Sequence, residues 1–266
     1  MKFHEMTSTR LAAIERDRTV VLIPIAAVEQ HGPHMPTGTD TILCNAVAEA
    51  VESRLSESVL LTPTLWLGAS AHHLRIGSTL NAKLDTYVAT LCDVARSLLD
   101  DGYQRLFFLN GHGGNIDPMR MAVRMIQPAY GKALLAAGSY WCIADGLIHE
   151  TLTGDHKFVG HACEFETSMM LHVRPELVDI ERADAGELVP DQFAGVFLSR
   201  DMRQRTREGF TGRPDLASAE KGRRLFDGII DRLVCTVEKL LTQPLETEYE
   251  NLVGTSCQKK SASKEV

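Results

Sequence analysis

One Glu, two His and one Asp, all with metal-binding side chains, stand close together after an apolar run, in the segment PIAAVEQHGPHMPTGTD at residues 24–40. Glu29 and His31 are two positions apart, and side chains at i and i+2 of an extended segment point the same way. Asp40 follows a turn rich in Gly and Pro, and its two carboxylate oxygens can bridge two ions. Carboxylate and imidazole together suit Zn, Mn or Fe. The alternative is a polar loop in which Asp40 only caps the next helix.

A second segment, NGHGGN at residues 110–115, places His112 between glycines directly after the apolar run RLFFL. Glycine lets a ligand or another stretch of backbone approach closely. The alternative is a Gly-rich turn that caps the following helix and leaves His112 on the surface. A phosphate-binding loop is disfavoured, because no Lys-Ser/Thr pair follows these glycines.

A third segment, GHACEFETS at residues 160–168, carries His161, Glu164 and Glu166. If the segment is helical, His161 and Glu164 share one face, whereas Glu166 lies about 200° away from Glu164. Both carboxylates therefore cannot easily bind one ion, and we predict Glu164 as the ligand. Glu166 is expected to hydrogen-bond a ligand or the chain, and we take it, with His161, as a catalytic candidate. The alternative is that both acids only favour the positive end of the helix dipole.

Weaker candidates lie in three other places. The segment SAHHLRIGST at residues 70–79 carries a His pair on a predicted loop, and we take His73 as a substrate-binding candidate; a surface pair is the alternative. Trp141 follows a predicted strand and could wall a substrate pocket, although a lone aromatic side chain is more often part of the core. The basic run SRDMRQRTR at residues 199–207 is expected to be solvated or to contact another subunit, with binding of an anionic substrate as the alternative.

The elements that must position these residues alternate between strand and helix. Apolar runs predict strands at residues 19–25, 58–66, 105–110 and 132–141. Helical spacing predicts helices at residues 39–55, 84–101, from 116 onward, 161–173 and 216–241. This alternation predicts an α/β fold with a parallel sheet covered on both faces. Ligands bind beyond the carboxyl ends of the strands in such sheets, where residues 24–40, residues 110–115 and Trp141 all lie.

Composition limits the class of protein. The 266 residues favour one large domain, predicted at 1–245, with a flexible polar tail at 246–266. A net charge of −7 argues against a nucleic-acid-binding protein. No apolar run approaches the roughly 20 residues of a membrane span, and the N-terminus lacks the apolar core of a signal peptide. Six Cys without a CxxC pair fit reduced thiols. We therefore expect a cytoplasmic protein with no membrane or nucleic-acid partner.

The motifs EQHGPHMPTGTD, NGHGGN and HACEFETS, in this order, resemble the creatininase family of metal-dependent amidohydrolases. The segment GRPDLASAEKGRRLFD is similar to that family's C-terminal part. The resemblance implies a three-layer α/β/α sandwich with a mostly parallel central sheet, assembled as a homohexamer, and two divalent ions (Zn, Mn or Fe) per subunit.

The resemblance also assigns roles to individual residues. Glu29 and His112 would bind one ion, His31 and Glu164 the other, and Asp40 would bridge both. His161 matches a His thought to handle protons. In creatininase itself the second-ion Glu lies in the motif that corresponds to GHGGN, where this chain has glycine, and members with GHGGN take the Glu from the later segment. Cys163 and the RIGST stretch also differ from the usual family pattern, which indicates a different substrate pocket.

The function predicted from these residues is hydrolysis of a C–N bond in a small, cyclic amide. Two ions that share a water lower its pKa from 15.7 to roughly 7, and the bridging hydroxide attacks the carbonyl carbon. His161 could then protonate the leaving group. The alternative at the same site is ring-opening hydrolysis of a cyclic ketone or lactone. Two other classes are a non-catalytic small-molecule sensor and a flavodoxin-like nucleotide-binding domain, and the second of these would bind no metal.

Overall fold

The computed structural model describes residues 1–155, 157–189, 193 and 195–245. The tail predicted at residues 246–266 lies outside the described residues. In the described part, no helix is both long enough and apolar enough to cross a membrane.

The centre of the fold is a four-stranded parallel sheet with the strand order β2-β1-β3-β4. Its strands are β1 (Val20–Ile25), β2 (Val59–Leu61), β3 (Arg105–Asn110) and β4 (Leu134–Ser139). The predicted strand at 58–66 is shorter than expected, because its register with β1 changes after Thr62. The N–H of Thr62 donates to the Leu22 carbonyl at 3.0 Å, but Leu65, and not Thr64, donates to the Pro24 carbonyl at 2.9 Å. The parallel sheet predicted from the sequence is confirmed.

Helices connect the strands and cover the sheet. The α-helices are α1 (Ser8–Ala12), α2 (Thr39–Arg54), α3 (Leu84–Asp100), α4 (Ile116–Ile126), α5 (Tyr140–Ile143), α6 (Asp145–Thr151), α7 (Glu164–Val173), α8 (Met202–Arg205) and α9 (Ala219–Thr242). Short 3₁₀ helices occur at Phe3–Glu5, Arg16–Arg18, Ala71–His73, Gly113–Asn115, Gln127–Ala129, Pro175–Leu177, Ile180–Arg182 and Pro214–Leu216.

Two apolar cores lie on the two faces of the sheet, because successive side chains of β1 point to opposite faces. Val20 and Leu22 pack with residues of α2, α7 and α9 on one face. Val21 and Ile23 pack with residues of α3 and α4 on the other. Every residue of β1 and β3 is buried, as expected for inner strands of a parallel sheet. This arrangement confirms the α/β sandwich.

The helix that carries two of the acidic candidates begins later than predicted. α7 starts at Glu164 and not at His161, and Cys163 is its N-cap residue. Ala162, just before the cap, has a left-handed backbone with φ of 50°. His161 therefore lies in the turn that leads into α7, and the helical spacing assumed between His161 and Glu164 does not exist.

α7 and α9 pack closely enough to require glycine at their contact. A Cβ atom at Gly222 would lie 1.9 Å from the carbonyl oxygen of Ser168. Backbone atoms of two packed helices cannot separate without displacing the core between them.

We expect Gly222→Ala to destabilise the protein by about 1–3 kcal/mol, because the new methyl group overpacks this helix contact. The melting temperature measures the effect, and it should fall by several degrees. Gly146→Ala in α6 is the matched control, since a Cβ at Gly146 meets no atom within 4 Å. That variant should be as stable as the wild type or slightly more stable. A wild-type melting temperature for Gly222→Ala would contradict the close packing described for α7 and α9.

Candidate metal centre

The carboxyl edge of the sheet gathers most of the predicted site residues. Glu29 and His31 follow β1, Asp40 lies in the first turn of α2, and His112 follows β3. All four side chains are buried. Glu166, in the first turn of α7, is also buried and lies beside His31 and Asp40. The side chains come from four separate segments, so only the folded chain brings them together.

The NGHGGN segment is held rigidly between neighbouring strand ends. The side-chain amide of Asn110 donates to the carbonyl of His112 at 2.7 Å, and its oxygen accepts from the His112 N–H at 3.0 Å. Asn115 accepts from the Ala69 N–H at 3.0 Å and donates to the Ala26 carbonyl at 3.0 Å. These contacts fix the position of the His112 backbone, and with it the place from which the ring projects.

Gly114 is required at this turn because two other groups occupy the space of a side chain. A Cβ atom there would lie 2.1 Å from the carbonyl oxygen of Ala69 and 2.5 Å from Nε2 of His112. The glycine therefore lets the His112 ring lie against the chain beyond β2, which is the close approach expected of Gly in such a segment.

The Asp40 carboxylate lies between two imidazole rings. Its Oδ1 is 3.0 Å from Nε2 of His31, and its Oδ2 is 2.9 Å from Nδ1 of His112. The Oε1 atom of Glu29 lies 3.4 Å from the same Nδ1 of His112. Asp40 thus contacts both His side chains that the sequence predicts as ligands.

The far side of each ring is held by a backbone carbonyl. Nδ1 of His31 lies 2.9 Å from the carbonyl oxygen of Glu29, and Nε2 of His112 lies 3.3 Å from that of Ala69. A carbonyl oxygen only accepts, so these nitrogens carry the protons. The other nitrogen of each ring faces a carboxylate oxygen. Such contacts are stable only with a proton or a metal ion between them.

His161 makes a similar arrangement next to Glu29. Its Nε2 donates to the carbonyl oxygen of Gln30 at 2.7 Å, and its Nδ1 lies 3.4 Å from Oε1 of Glu29. The His161 side chain is 12% exposed, whereas that of Glu29 is 1% exposed. His161 therefore borders the buried cluster and also reaches solvent.

The charges of the cluster shift its pKa values strongly. Burial opposes protonation of His31, but the charges of Asp40 and Glu166 and a hydrogen bond with Asp40 outweigh it and raise its pKa to about 10. Burial likewise opposes protonation of His112, but Glu29 and Asp40 raise its pKa to about 9. Burial raises the pKa of Glu29 and of Glu166 to about 7, against the charges of neighbouring imidazoles. The site therefore attracts cations.

The donor set fits divalent metal ions. Three groups of side chains place one ligand atom each within 4.8 Å of one another: Glu29, His31 and His161; Glu29, His72 and His112; and His31, Asp40 and Glu166. The Oε2 atom of Glu29 is buried without a hydrogen-bond partner among the described residues. Neutral imidazole and carboxylate are the ligands of Zn, Mn and Fe sites in proteins. The rings of His31, His112 and His161 are each held by a backbone carbonyl on the opposite side, as is usual for His ligands.

Comparison with known proteins decides the family. The creatininase profile, described as creatinine amidohydrolase, matches residues 4–237. A mycofactocin precursor peptide peptidase of Mycobacterium tuberculosis (strain CDC 1551 / Oshkosh) is 32% identical over 249 residues, which are 90% of this chain and 93% of that protein. The chain belongs to the creatininase family. It is therefore a hydrolase, and the metal-binding character of its buried cluster agrees with the family.

Two further creatininase-like proteins differ in what they are known to act on or to hold. A 3-dehydro-scyllo-inosose hydrolase of Thermotoga maritima is 27% identical over 267 residues, which are 92% of this chain and 83% of that protein. The solved structure of creatininase with Mn has a TM-score of 0.74 at 24% identity and covers 91% of this chain and 99% of that chain. The second likeness shows that the two chains share a fold.

Of the predicted creatininase-type ligands, Glu164 lies away from the cluster. Its carboxylate accepts hydrogen bonds from Lys221 Nζ at 2.5 Å and from the N–H groups of Thr153 and Gly154 at 3.0 and 2.9 Å. Glu166 instead lies beside His31 and Asp40. The helical spacing assumed between His161 and Glu164 was wrong, because α7 begins at Glu164. Which of the two acids binds an ion stays a prediction, and the two carboxylates face different surroundings.

The two substrate-binding candidates have different surroundings. His73 is buried in the cluster, with Nε2 3.2 Å from Oε1 of Glu29. Trp141 in α5 is half-buried and packs edge-on against Tyr140, with ring centroids 5.2 Å apart, beside the apolar core. His73 thus lies beside a predicted ligand, and Trp141 packs with the core. Substrate contact stays a prediction for both residues.

The sequence-based ligand set omitted two members of the site. His72 groups with Glu29 and His112, and its ring stacks on that of His112 at 5.7 Å. The side-chain nitrogen of Gln30 lies 2.9 Å from Nδ1 of His73 and donates to the carbonyl of Gly209 at 2.8 Å. The adjacent His pair was a usable signal for His72. Nothing in the sequence distinguishes Gln30, apart from its place between two predicted ligands.

We expect the binding of divalent metal at pH 7 to release about two protons per chain or more, because His31 and His112, with pKa values of about 10 and 9, must lose protons before they bind a cation. Calorimetric titration in buffers of different ionisation enthalpy measures this release. The apparent metal affinity should rise with pH and level off as the pH passes these two values. A binding enthalpy independent of the buffer would contradict the protonation described here.

Glu166 and Glu164 form a matched pair for testing which acid holds metal. Glu166→Gln is expected to weaken metal binding by more than the ~10–100-fold caused by losing an outer hydrogen-bond partner. Glu164→Gln should keep the metal but lose about 1–3 kcal/mol of stability, since it weakens the buried contact with Lys221. Elemental analysis after dialysis and thermal unfolding separate the two effects. Loss of metal in Glu164→Gln with retention in Glu166→Gln would reverse the assignment.

Proposed function

We propose that this protein is a two-metal hydrolase that cleaves an amide C–N bond. The observation that carries the proposal is the Asp40 carboxylate between Nε2 of His31 and Nδ1 of His112. One carboxylate with one oxygen toward each of two imidazoles is the arrangement that a bridging ligand needs. The family supports the same type of reaction, since its described activity is that of a creatinine amidohydrolase.

The donor groups suggest how the ligands divide between the ions. Glu29 and His112 would hold one ion, His31 and Glu166 the other, and Asp40 would contact both. Zn, Mn and Fe all suit this mixture of carboxylate and imidazole. When bound, such ions supply an activated water and polarise the carbonyl of the substrate.

The protein's own residues orient the site and move protons. His161 is the proposed proton-handling residue, because its ring borders Glu29 and its side chain reaches solvent. The carbonyl of Gln30 holds the ring orientation at 2.7 Å. Such a positioned imidazole typically contributes 10²–10⁴-fold to a rate. The burial of Glu29, His31 and Asp40 excludes water from the rest of the centre.

The substrate is proposed to be a small cyclic amide, and His73 and Trp141 are proposed to contact it. A second candidate is the amide of a peptide, which is favoured by the mycofactocin precursor peptide peptidase. A third is ring-opening of a cyclic ketone or lactone at the same site, and the inosose hydrolase supports it as a relative that is not named for an amide. We also propose assembly into a homo-oligomer, a hexamer by family resemblance, and a cytoplasmic location.

Metal analysis and a substrate panel test the proposed function. We expect the purified protein to hold about two divalent ions per chain and to lose turnover on chelation, with recovery on addition of Zn, Mn or Fe. The panel contains lactams, formamides, short peptides, lactones and cyclic diketones, and mass spectrometry identifies the products. Hydrolysis of an amide supports the proposal, whereas exclusive ring-opening of a ketone or lactone selects the alternative. Turnover that chelation leaves unchanged would contradict a metal-dependent reaction.

A further inference from the structure

A separate cleft of about 610 Å³ lies between the segment at 186–189 and the segment at 203–207. Its lining residues are Gly186, Glu187, Leu188, Val189, Arg203, Arg205, Thr206 and Arg207. The volume is within the range of small-molecule binding sites, roughly 300–1,000 Å³. The basic run noted in the sequence thus lines a concave surface.

Three arginines give this cleft, here called the arginine cleft, its charge. No ion pair joins the side chain of Arg203, Arg205 or Arg207 to a carboxylate in the described part of the chain. Arg75, by contrast, pairs with Asp201 at 2.6 Å. Of the described residues that line the cleft, Glu187 alone carries a carboxylate. An excess of unpaired guanidinium groups in a concave surface favours anions, and the planar guanidinium fork fits a carboxylate.

The arginine cleft is built onto the wall of the metal centre. α8, which carries Arg203 and Arg205, packs against the 3₁₀ helix Ala71–His73. The segment that follows α8 is also tied to the centre, since the carbonyl of Gly209 accepts from the side chain of Gln30 at 2.8 Å. Both connections lead to residues beside Glu29.

Arg205 is the least exposed of the three arginines, because it is partly buried whereas Arg203 and Arg207 are exposed. His72 is only partly buried, unlike Glu29 and His112 in the same group of potential ligands. α8, which ends at Arg205, therefore contacts the short helix that carries this less enclosed member of the cluster.

We propose that the arginine cleft binds a carboxylate of the substrate, with Arg205 as the main contact. The inference rests on the proposed function, and it restricts the substrate class to amides that carry an anionic carboxylate near the scissile bond. Arg205 acts as a specificity residue, because it recognises a part of the substrate that does not react. Its backbone carbonyl accepts from the Val189 N–H at 2.9 Å, and this bond remains when the side chain is shortened.

Binding of two matched probes to the metal-loaded protein tests this proposal. N-acetylglycinate and N-acetylglycinamide differ in the charge of one end, and calorimetry measures the affinity of each. We expect the wild type to prefer the carboxylate and Arg205→Ala to reduce that preference about 10-fold. Arg205→Lys should fall between them, because it keeps the charge and loses the fork. Arg223→Ala is the control, since Arg223 is exposed on α9 and pairs with Asp227 at 3.7 Å.

Each other outcome counts against the proposal. A carboxylate preference that Arg205→Ala leaves unchanged overturns it, because the metal ions alone would then explain the preference. Dissociation of the oligomer in Arg205→Ala without a change in preference assigns the cleft to a subunit contact. Arg205-dependent binding of inorganic phosphate that is tighter than that of N-acetylglycinate replaces the carboxylate with a phosphate group. Metal content and chelator-sensitive turnover of the same samples report separately whether the proposed hydrolase function fails.

Discussion

The Asp40 carboxylate, held between the rings of His31 and His112, is the contact on which the rest of the site depends. Three carboxylates, those of Glu29, Asp40 and Glu166, are buried in one small volume. Isolated charges cannot be buried without compensation, because the interior solvates them poorly. Imidazoles and bound cations supply that compensation. Folding of this edge of the sheet and its affinity for cations are therefore two consequences of the same charge balance.

The sheet makes this balance possible by bringing its strand ends level. Ile25 lies opposite Asn110, and Asn110 lies opposite Ser139, so β1, β3 and β4 stop at one height. The Asn110 side chain donates to the Ser139 hydroxyl at 2.9 Å and ties two of these ends together. The segments that leave the strands consequently start from fixed positions. A site carried by rigid strand ends can hold side chains more accurately than one on long loops.

The two acidic residues in the first turn of α7 contact different parts of the protein. Glu164 pairs with Lys221 of α9 and joins two helices, while Glu166 turns into the metal centre. The N–H of Cys163 also contacts the Glu166 carboxylate at 3.4 Å. The packing of α7 on α9 thus positions a carboxylate of the site as well as the core. α8, which lines the arginine cleft, likewise contacts an element of the site, namely the 3₁₀ helix Ala71–His73.

The sequence by itself determined the α/β class, the positions of the strands and the placement of Glu29, His31, Asp40 and His112 at one edge of the sheet. These follow from local information, namely apolar runs, helical spacing and metal-binding side chains placed just beyond strand ends. Only the tertiary structure shows that Glu166, and not Glu164, lies beside His31 and Asp40. This depends on where α7 begins and on the contact of Glu164 with Lys221, 57 positions away in the chain. The tertiary structure also shows that the Gln30 side chain reaches the carbonyl of Gly209, 179 positions away. This contact connects the end of the basic run at residues 199–207 to the cluster around Glu29. Contacts between such distant segments depend on how helices pack on the sheet, and local patterns carry no information about them.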